Sequence, residues 1–323
     1  MNENQLICKS LRKEFSKVGW ALLIYYGIMN LSVLLVTFCI SLMVGFQIAF
    51  SAASGESYDS LVTAITNDSY WGYALAVIIG FVALMYWEKP EFCRTTIWEQ
   101  KKTMTWGSFF ALLAVFISGQ ALYQLLTPLL EWLFSLVGVS LEDSIAAATG
   151  DADSFSLFLY VGLLAPIWEE ILFRGFVMRK LQPFGKKFAI LASALLFGLY
   201  HANVVQSPYA FAVGLVLGYV AMEYSVLWAM VLHMINNLIL SDTIGRLVQN
   251  LPVMVQELTF FVLIWGCALA AIIILICKRK AIAAYCKEDQ NHPIAYKAFF
   301  TNAGVITLML VLVGLMVLSL FLV

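Results

Sequence analysis

Successive apolar runs constrain this chain more than any other feature of its sequence. Each run is long enough, or nearly long enough, to cross the roughly 30 Å hydrocarbon core of a bilayer. With 62% hydrophobic residues, 12% charged residues and a mean hydropathy of +0.88, the chain is too apolar for a soluble globular protein. We therefore predict an all-α fold, a polytopic transmembrane helical bundle of about nine spans, with roughly eight to ten as the range. The predicted spans cover residues 18–46, 71–87, 106–135, 156–178, 188–204, 209–223, 225–240, 258–277 and 300–322.

Two of these runs, the sixth and the seventh, are shorter than the roughly 20 residues that a spanning helix needs. They meet at residues 223–225 with almost no loop between them. The sequence allows two arrangements at this point: a tight helical hairpin inside the bundle, or one helix broken near its inner end.

Lysine and arginine are distributed unevenly among the segments that connect the spans. With the N-terminus inside, 17 of the 19 basic residues fall on inner segments, as the positive-inside rule requires. These basic residues are Lys9, Arg12, Lys13, Lys17, Lys89, Arg94, Lys101, Lys102, Arg179, Lys180, Lys186, Lys187, Lys278, Arg279, Lys280, Lys287 and Lys297. The predicted outer loops carry the acids Glu56, Asp59, Asp68, Glu142, Asp143, Asp151 and Asp153. We therefore predict that the N-terminus lies inside.

The spans divide the chain into three parts. Residues 1–154 hold about three N-terminal spans with inner basic and outer acidic loops, residues 155–241 form a core with polar clusters, and residues 242–323 hold two C-terminal spans. The first apolar stretch, 18–50, is longer than the apolar region of a cleaved signal peptide. We interpret it as an uncleaved first span.

Cysteine usage, charge and the lack of internal repeats argue against several other classes. The six cysteines form no CxxC pair, so neither a disulfide framework nor a thiolate zinc site is indicated. No basic block with interleaved aromatic residues points to nucleic acid. A proton-coupled transporter usually shows paired repeats, and the sequence has none.

The fourth apolar run contains two acids and an arginine. A charge near the bilayer centre costs roughly 2.5–3.5 kcal/mol, so such residues usually face a protein-lined or watery cavity. On a helix Glu170 and Arg174 are four residues apart and share a face, whereas Glu169 lies about 100° away. The arginine can therefore neutralise one acid while the other stays available for chemistry.

Two further polar clusters lie in apolar runs. Phe197 and His201 are four residues apart on the fifth run, and His233 and Asn237 are four apart on the seventh. The helical rise places the histidines and Glu169 roughly 15 to 21 Å from the inner ends of their helices, so the three can meet near or somewhat outside the midplane. A glutamate in a low-dielectric pocket is a good base, a histidine can hold water or move a proton, and histidine with asparagine can stabilise an oxyanion. Together these groups have the chemistry that hydrolysis of an amide requires.

Structural interpretations of the same residues stay open. The two glutamates and the arginine can form a buried ion network that locks helices together, and a membrane histidine is often a packing residue. Phe197 packs in either case, Asn237 can join helices by hydrogen bonds, and Asn236 lies on a different part of the helix surface. For Glu131, Glu223 and Asp242, near the span ends, we expect interfacial solvation.

The order of the three clusters resembles a known family. Glu169-Glu170-x-x-x-Arg174, Phe197-x-x-x-His201 and His233-x-x-x-Asn237 on successive apolar segments are similar to the CPBP intramembrane proteases, which group CAAX prenyl endopeptidases with bacteriocin-processing and Abi-type proteins. The resemblance covers about residues 155–241. It implies a helical core around a cavity in which Glu169 and His201 activate water, supported by Glu170 and Arg174. It also implies that His233 and Asn237 stabilise the tetrahedral oxyanion.

A metal is one alternative for this site. Glu169, His201 and His233 could complete a zinc site with an open water position, and the family is often called metalloprotease-like. The HExxH pattern of zincins is absent from the sequence. We favour a metal-independent mechanism without a cofactor and keep zinc as the alternative.

The resulting prediction is a multi-pass integral membrane endopeptidase that acts on a membrane-anchored peptide or protein, in the plasma membrane if the source is bacterial. Its predicted partners are that substrate and the lipid bilayer. The alternatives are a non-catalytic bacteriocin self-immunity or scaffold protein of the same fold and, ranked below it, a proton-coupled transporter.

Overall fold

Helices form the part of the chain that the computed structural model describes, which comprises residues 3–50, 70–149, 154–288 and 293–321. No strand occurs within those ranges. The predicted all-α class is therefore confirmed. The main helices are α1 (Glu3–Phe50), α2 (Trp71–Trp87), α3 (Trp106–Ser135), α4 (Glu142–Thr149), α5 (Phe155–Phe184), α6 (Lys186–Tyr200), α7 (Gln206–Glu223), α8 (Val226–Met234), α9 (Val253–Glu288), α10 (Pro293–Phe300) and α11 (Ala303–Leu318).

Helices occupy all nine predicted positions, but they differ in their ability to cross a membrane. Within the described ranges, α1, α3, α5 and α9 are long and apolar enough to span; α10 and α11 make a fifth if they form one span with a 58° bend. The helix α6 has 15 residues, which is about 22 Å and shorter than the hydrocarbon core. Several membrane helices are thus present, while the number nine stays a prediction.

The basic segments of the sequence lie together at one end of the bundle. Lys180 Nζ is 2.6 Å from Glu88 Oε2, and Lys187 Nζ donates to the carbonyl oxygen of Cys286. The ring of Phe15, between the first basic residues, lies 5.1 Å from that of Phe184. This gathering is what a common inner side requires, and the inside orientation itself remains a prediction. The acidic residues Glu56, Asp59, Asp68, Asp151 and Asp153 lie outside the described residues.

Glu223 corrects one expectation at this basic end. Interfacial solvation was expected, but the residue is only 3% exposed. Its carboxylate accepts hydrogen bonds from Lys102 and from the Tyr285 hydroxyl, and Lys186 Nζ lies 3.5 Å away. The hydrogen bond to Glu223 raises the pKa of Lys102 above its ordinary value. The prediction was wrong because it considered only depth in the membrane and not the lysines that other helices bring to this position. Glu131 is exposed as expected, and the side chain of Asp242 is not among those described.

The first and last long helices cross at glycines. A Cβ atom on Gly19 would collide with the backbone of Gly304, and one on Gly304 would collide with the carbonyl group of Ser16. The amide of Gly304 donates to Ser16 Oγ at 2.9 Å. Small residues permit such close helix packing in membranes, so α1 and α11 are held backbone to backbone.

Candidate active site

The predicted motifs lie on helices that change their hydrogen-bonding pattern. Within α5, residues Tyr160–Leu164 and Glu170–Val177 are π-helical, and α8 continues as the π-helical segment Ile235–Thr243. The sequence analysis assumed α-helical geometry for these segments, which was wrong. π-helical turns occur mostly in short pieces and often at functional sites, and here they carry Glu170, Arg174 and Asn237 from two of the three motifs.

A buried ion pair lies at the centre of the site. Glu170 and Arg174 are both 0% exposed, and Arg174 Nη1 lies 2.7 Å from Glu170 Oε1. Arg174 Nη2 donates to the carbonyl oxygen of Gly214 at 3.2 Å, and its guanidinium carbon is 4.2 Å from the centre of the Phe197 ring. The contact is close at position 214, because a Cβ there would lie 3.2 Å from both Arg174 and Phe197, tighter than nearly all real Cβ contacts. The predicted neutralisation of one acid by the arginine is therefore present.

His233 connects this ion pair to the second acid. Its Nδ1 is 2.9 Å from Glu170 Oε1. Because an ionised carboxylate only accepts hydrogen bonds, Nδ1 carries the proton and the ring presents Nε2 to the other side. There, Nε2 lies 3.7 Å from Glu169 Oε2. The side chain of Glu169 is 27% exposed, whereas that of Glu170 is fully buried, so Glu169 is the acid that an incoming molecule can reach.

Phe197 sets the positions of both histidines. Its ring is perpendicular to those of His201 and His233, with centroid distances of 4.9 Å and 5.9 Å. His201 Nδ1 is 2.8 Å from the Phe197 carbonyl oxygen, which can only accept, so Nδ1 donates and Nε2 is left as an acceptor. The helix α6 ends at Tyr200. His201 therefore lies at a helix end rather than inside a span as predicted.

The asparagines of the third motif form a chain of hydrogen bonds. Asn237 Nδ2 donates to the carbonyl oxygen of Val161 at 2.9 Å, and Asn237 Oδ1 accepts from Asn236 Nδ2 at 3.0 Å. One N–H of the Asn237 amide remains after the bond to Val161, since the amide group has two. The chain thus fixes the orientation of Asn237 and leaves a donor on it.

Two residues of this chain were missed by the sequence analysis. Gln120 Nε2 donates to Asn236 Oδ1 at 2.9 Å and lies 2.8 Å from the Tyr209 hydroxyl, which donates to the same oxygen at 3.2 Å. The available signal was a glutamine inside the apolar run 106–135. Polar side chains in membrane helices often join helices by hydrogen bonds, and this one joins α3 to the site.

The zinc alternative finds no preformed ligand cluster in the described part of the chain. Among the described residues, no group of three histidine, cysteine, aspartate or glutamate side chains is arranged to hold a metal ion. His233 directs Nδ1 to Glu170, and His201 directs Nδ1 to a carbonyl group. These bonds orient the two rings and leave Nε2 of each available, an arrangement that serves hydrogen bonding to water and is also common for zinc-bound histidines.

The comparison with protein families now identifies this segment. Residues 151–239 match the Rce1-like family of type II CAAX prenyl endopeptidases. The Rce1-like segment contains all six predicted site residues, and the match agrees with the resemblance to the CPBP and CAAX proteases. It supports CAAX-type intramembrane protease activity in general terms for this chain. Comparison of the chain with curated proteins and with solved structures finds no match.

Proposed function

We propose that this protein is an intramembrane endopeptidase in which Glu169 and histidine activate water against a peptide bond. The observation that carries the proposal is the distance of 3.7 Å between Glu169 Oε2 and His233 Nε2. The ring of His233 is held there by the buried ion pair of Glu170 and Arg174. The Rce1-like match of residues 151–239 supports the same reaction class.

Glu169 is the proposed general base. It takes a proton from water, and the water oxygen bonds to the carbonyl carbon of the scissile amide, whose oxygen becomes an oxyanion. The carbon–nitrogen bond then breaks, and protonated Glu169 gives its proton to the amine leaving group. The distance of 3.7 Å to His233 is too long for a direct hydrogen bond, so one water can lie between the two side chains.

The two histidines take different parts because the acceptors on Nδ1 differ: a neutral carbonyl oxygen for His201 and the Glu170 carboxylate for His233. Neutral His201 presents an acceptor nitrogen, which suits it to hold the attacking water beside Glu169. His233 in its doubly protonated form donates from Nε2 to the oxyanion, together with the remaining N–H of Asn237, and the Glu170 carboxylate on Nδ1 balances the charge of the ring. Glu170 and Arg174 act as positioning residues, since both are fully buried, Glu170 accepts from His233 Nδ1, and Arg174 holds Glu170.

An apolar cavity beside the catalytic segment supports a lipid-anchored substrate. Ile171, next to Glu170 in the chain, lines a cavity of about 340 Å³ together with Phe81, Met85, Cys93 and Arg94. Such a lining can hold an apolar chain, and Arg94 can bind a carboxylate near it. We propose a peptide with a prenyl or similar apolar anchor as the substrate class.

Cleavage by purified protein in liposomes tests this proposal. The substrate is a fluorescent peptide, prepared with and without a farnesyl anchor. Glu169→Gln should lower the cleavage rate at least about a hundredfold, because the general base is lost. The matched control Glu131→Gln changes an exposed membrane glutamate and should cleave like wild type.

Two outcomes would overturn the proposal. If Glu169→Gln cleaves as fast as wild type, the acid is structural and a non-catalytic immunity or scaffold role replaces the protease. If a chelator abolishes cleavage and zinc restores it, the metal-independent mechanism is wrong. A preference for the peptide without the anchor would contradict the proposed substrate class alone.

A further inference from the structure

A second cavity lies at the basic end of the bundle, away from the candidate active site. It measures about 400 Å³ and lies between the beginning of α1 and the bend that separates α10 from α11. Its lining is formed by Arg12, Lys13, Ser16, Lys17, Trp20, Thr301, Asn302 and Ala303.

The lining is strongly cationic. It contributes one arginine and two lysines, and no acid is among the described residues that form it. Arg12, Ser16 and Trp20 are spaced by four residues, as are Lys13 and Lys17, so these side chains share one side of α1. The helix therefore presents its three positive charges to a single volume.

Arg12 is fixed by a hydrogen bond, whereas Lys17 makes only a weak surface ion pair. Arg12 Nε donates to Thr301 Oγ1 at 2.9 Å, across the gap between the two helices. This bond fixes the guanidinium at the wall and leaves its two terminal nitrogens, a geometry that suits two phosphate oxygens. Lys17 lies 2.8 Å from Glu14, but both side chains are more than half exposed, and such pairs are weak. Lys17 can therefore exchange this partner for a stronger anion.

The sequence around the cavity changes from charged to apolar, as expected at the level of lipid headgroups. Lys17 is the last charged residue before the apolar stretch 18–50, and Trp20, which is 43% exposed, is of the residue type enriched at membrane interfaces. Below it, Ile24 on α1 and Leu310 on α11 are exposed apolar side chains. Ile24 lies four residues after Trp20 and therefore on the same side of α1, and Leu310 lies seven residues after Ala303 on the same side of α11.

We propose that this cavity binds the headgroup of an anionic phospholipid, with the phosphate between Arg12, Lys13 and Lys17 and the acyl chains along α1 and α11. A free phosphate would satisfy the same cations. The lipid is the favoured occupant because the cavity lies directly beside exposed apolar helix faces, and basic pockets at this level bind anionic headgroups. The bound lipid would hold the first and last helices together. This inference is independent of the proposed proteolysis.

The test uses the full-length protein in micelles that contain phosphatidylglycerol or phosphatidylcholine. Native mass spectrometry measures how much of each lipid is retained, and thermal unfolding measures the stabilisation by each. Wild type should retain phosphatidylglycerol in preference. Lys13→Gln with Lys17→Gln should weaken that binding about thirtyfold, since each cation near the surface contributes about fivefold. This pair of substitutions leaves the bond between Arg12 and Thr301 intact.

A matched variant separates a site from general charge. Lys278→Gln with Arg279→Gln removes two exposed positive charges from α9 and should bind phosphatidylglycerol like wild type. The proposal is overturned if both double variants lose binding equally, or if phosphatidylcholine is retained as well as phosphatidylglycerol. It is also overturned if inorganic phosphate stabilises the protein as strongly as the lipid, because the occupant is then a free anion. The wild type and the two double variants should have equal unfolding temperatures in phosphatidylcholine alone. That result would show that both variants fold.

Discussion

Breaking the buried ion pair from the arginine side should destabilise the protein strongly. Arg174→Met removes the charge but keeps an unbranched apolar side chain of similar length. It abolishes the 2.7 Å bond to Glu170 and the 3.2 Å bond to Gly214, and it leaves a carboxylate that is 0% exposed without its cation. Removing one partner of a buried pair typically costs about 3–5 kcal/mol.

The individual contacts lead to a similar value. A hydrogen bond to a charged group contributes about 1.5–3 kcal/mol, and a desolvated guanidinium over an aromatic ring contributes about 2 kcal/mol. Arg174 makes the first with Glu170 and the second with Phe197. At about 2 °C per kcal/mol for a chain of this size, we expect the unfolding temperature to fall by roughly 6–10 °C.

Thermal unfolding in detergent, in the presence of a thiol-reactive dye or by light scattering, measures this change. The double variant Glu170→Gln with Arg174→Met should recover a large part of the loss, because no uncompensated charge stays buried. The control Glu14→Gln breaks an ion pair whose side chains are more than half exposed, and it should change stability by less than about 1 kcal/mol. If Arg174→Met is no worse than this control, or if the double variant is worse than Arg174→Met, the reasoning about the buried pair is refuted.

Three further changes test the rest of the site and the basic end. Gln120→Leu removes a donor to Asn236 and should lower the turnover number about tenfold with little change in KM; an unchanged turnover number would contradict a positioning role. Gly214→Ala places a methyl group 3.2 Å from the buried arginine and should cost about 1–3 kcal/mol in unfolding free energy, whereas an unchanged unfolding temperature would show that the helices can separate freely. Glu223→Gln should destabilise the fold at neutral pH, as measured by thermal unfolding. The pKa of Lys102 is raised by Glu223, so the pair stabilises wild type below the ordinary lysine pKa and less as pH rises through the raised value; an equal loss at high pH would contradict this linkage.

The sequence was sufficient to predict the helical class and the buried ion pair. Charged residues in apolar runs indicate a functional or buried site, because a charge inside a membrane costs free energy. The spacing of four residues between Glu170 and Arg174 predicts their contact. The π-helical segments could not be predicted, because their hydrogen-bond pattern depends on packing against other helices. The hydrogen bond from His233 to Glu170 was likewise not accessible, since it depends on how two distant helices rotate against each other.

Residues distant in sequence explain the other omissions. Gln120 joins Asn236 from a helix outside the motif-bearing core, and nothing in its immediate sequence indicates that partner. Glu223 is buried because lysines of other segments surround it. In both cases the local sequence shows a polar residue in or near an apolar run, but it cannot specify which distant residue lies next to it.

The glycine crossing between α1 and α11 has a consequence for biosynthesis. The amide of Gly304 and its acceptor Ser16 are 288 residues apart in the chain. At ribosomal rates of about 5–20 residues per second, roughly 15 to 60 s separate their synthesis. During that interval α1 has no contact with α11, and the crossing at Gly19 can form only after residue 304 has been translated. A chain that stops before α11 therefore leaves Ser16 and Gly19 without the backbone that covers them in the folded protein.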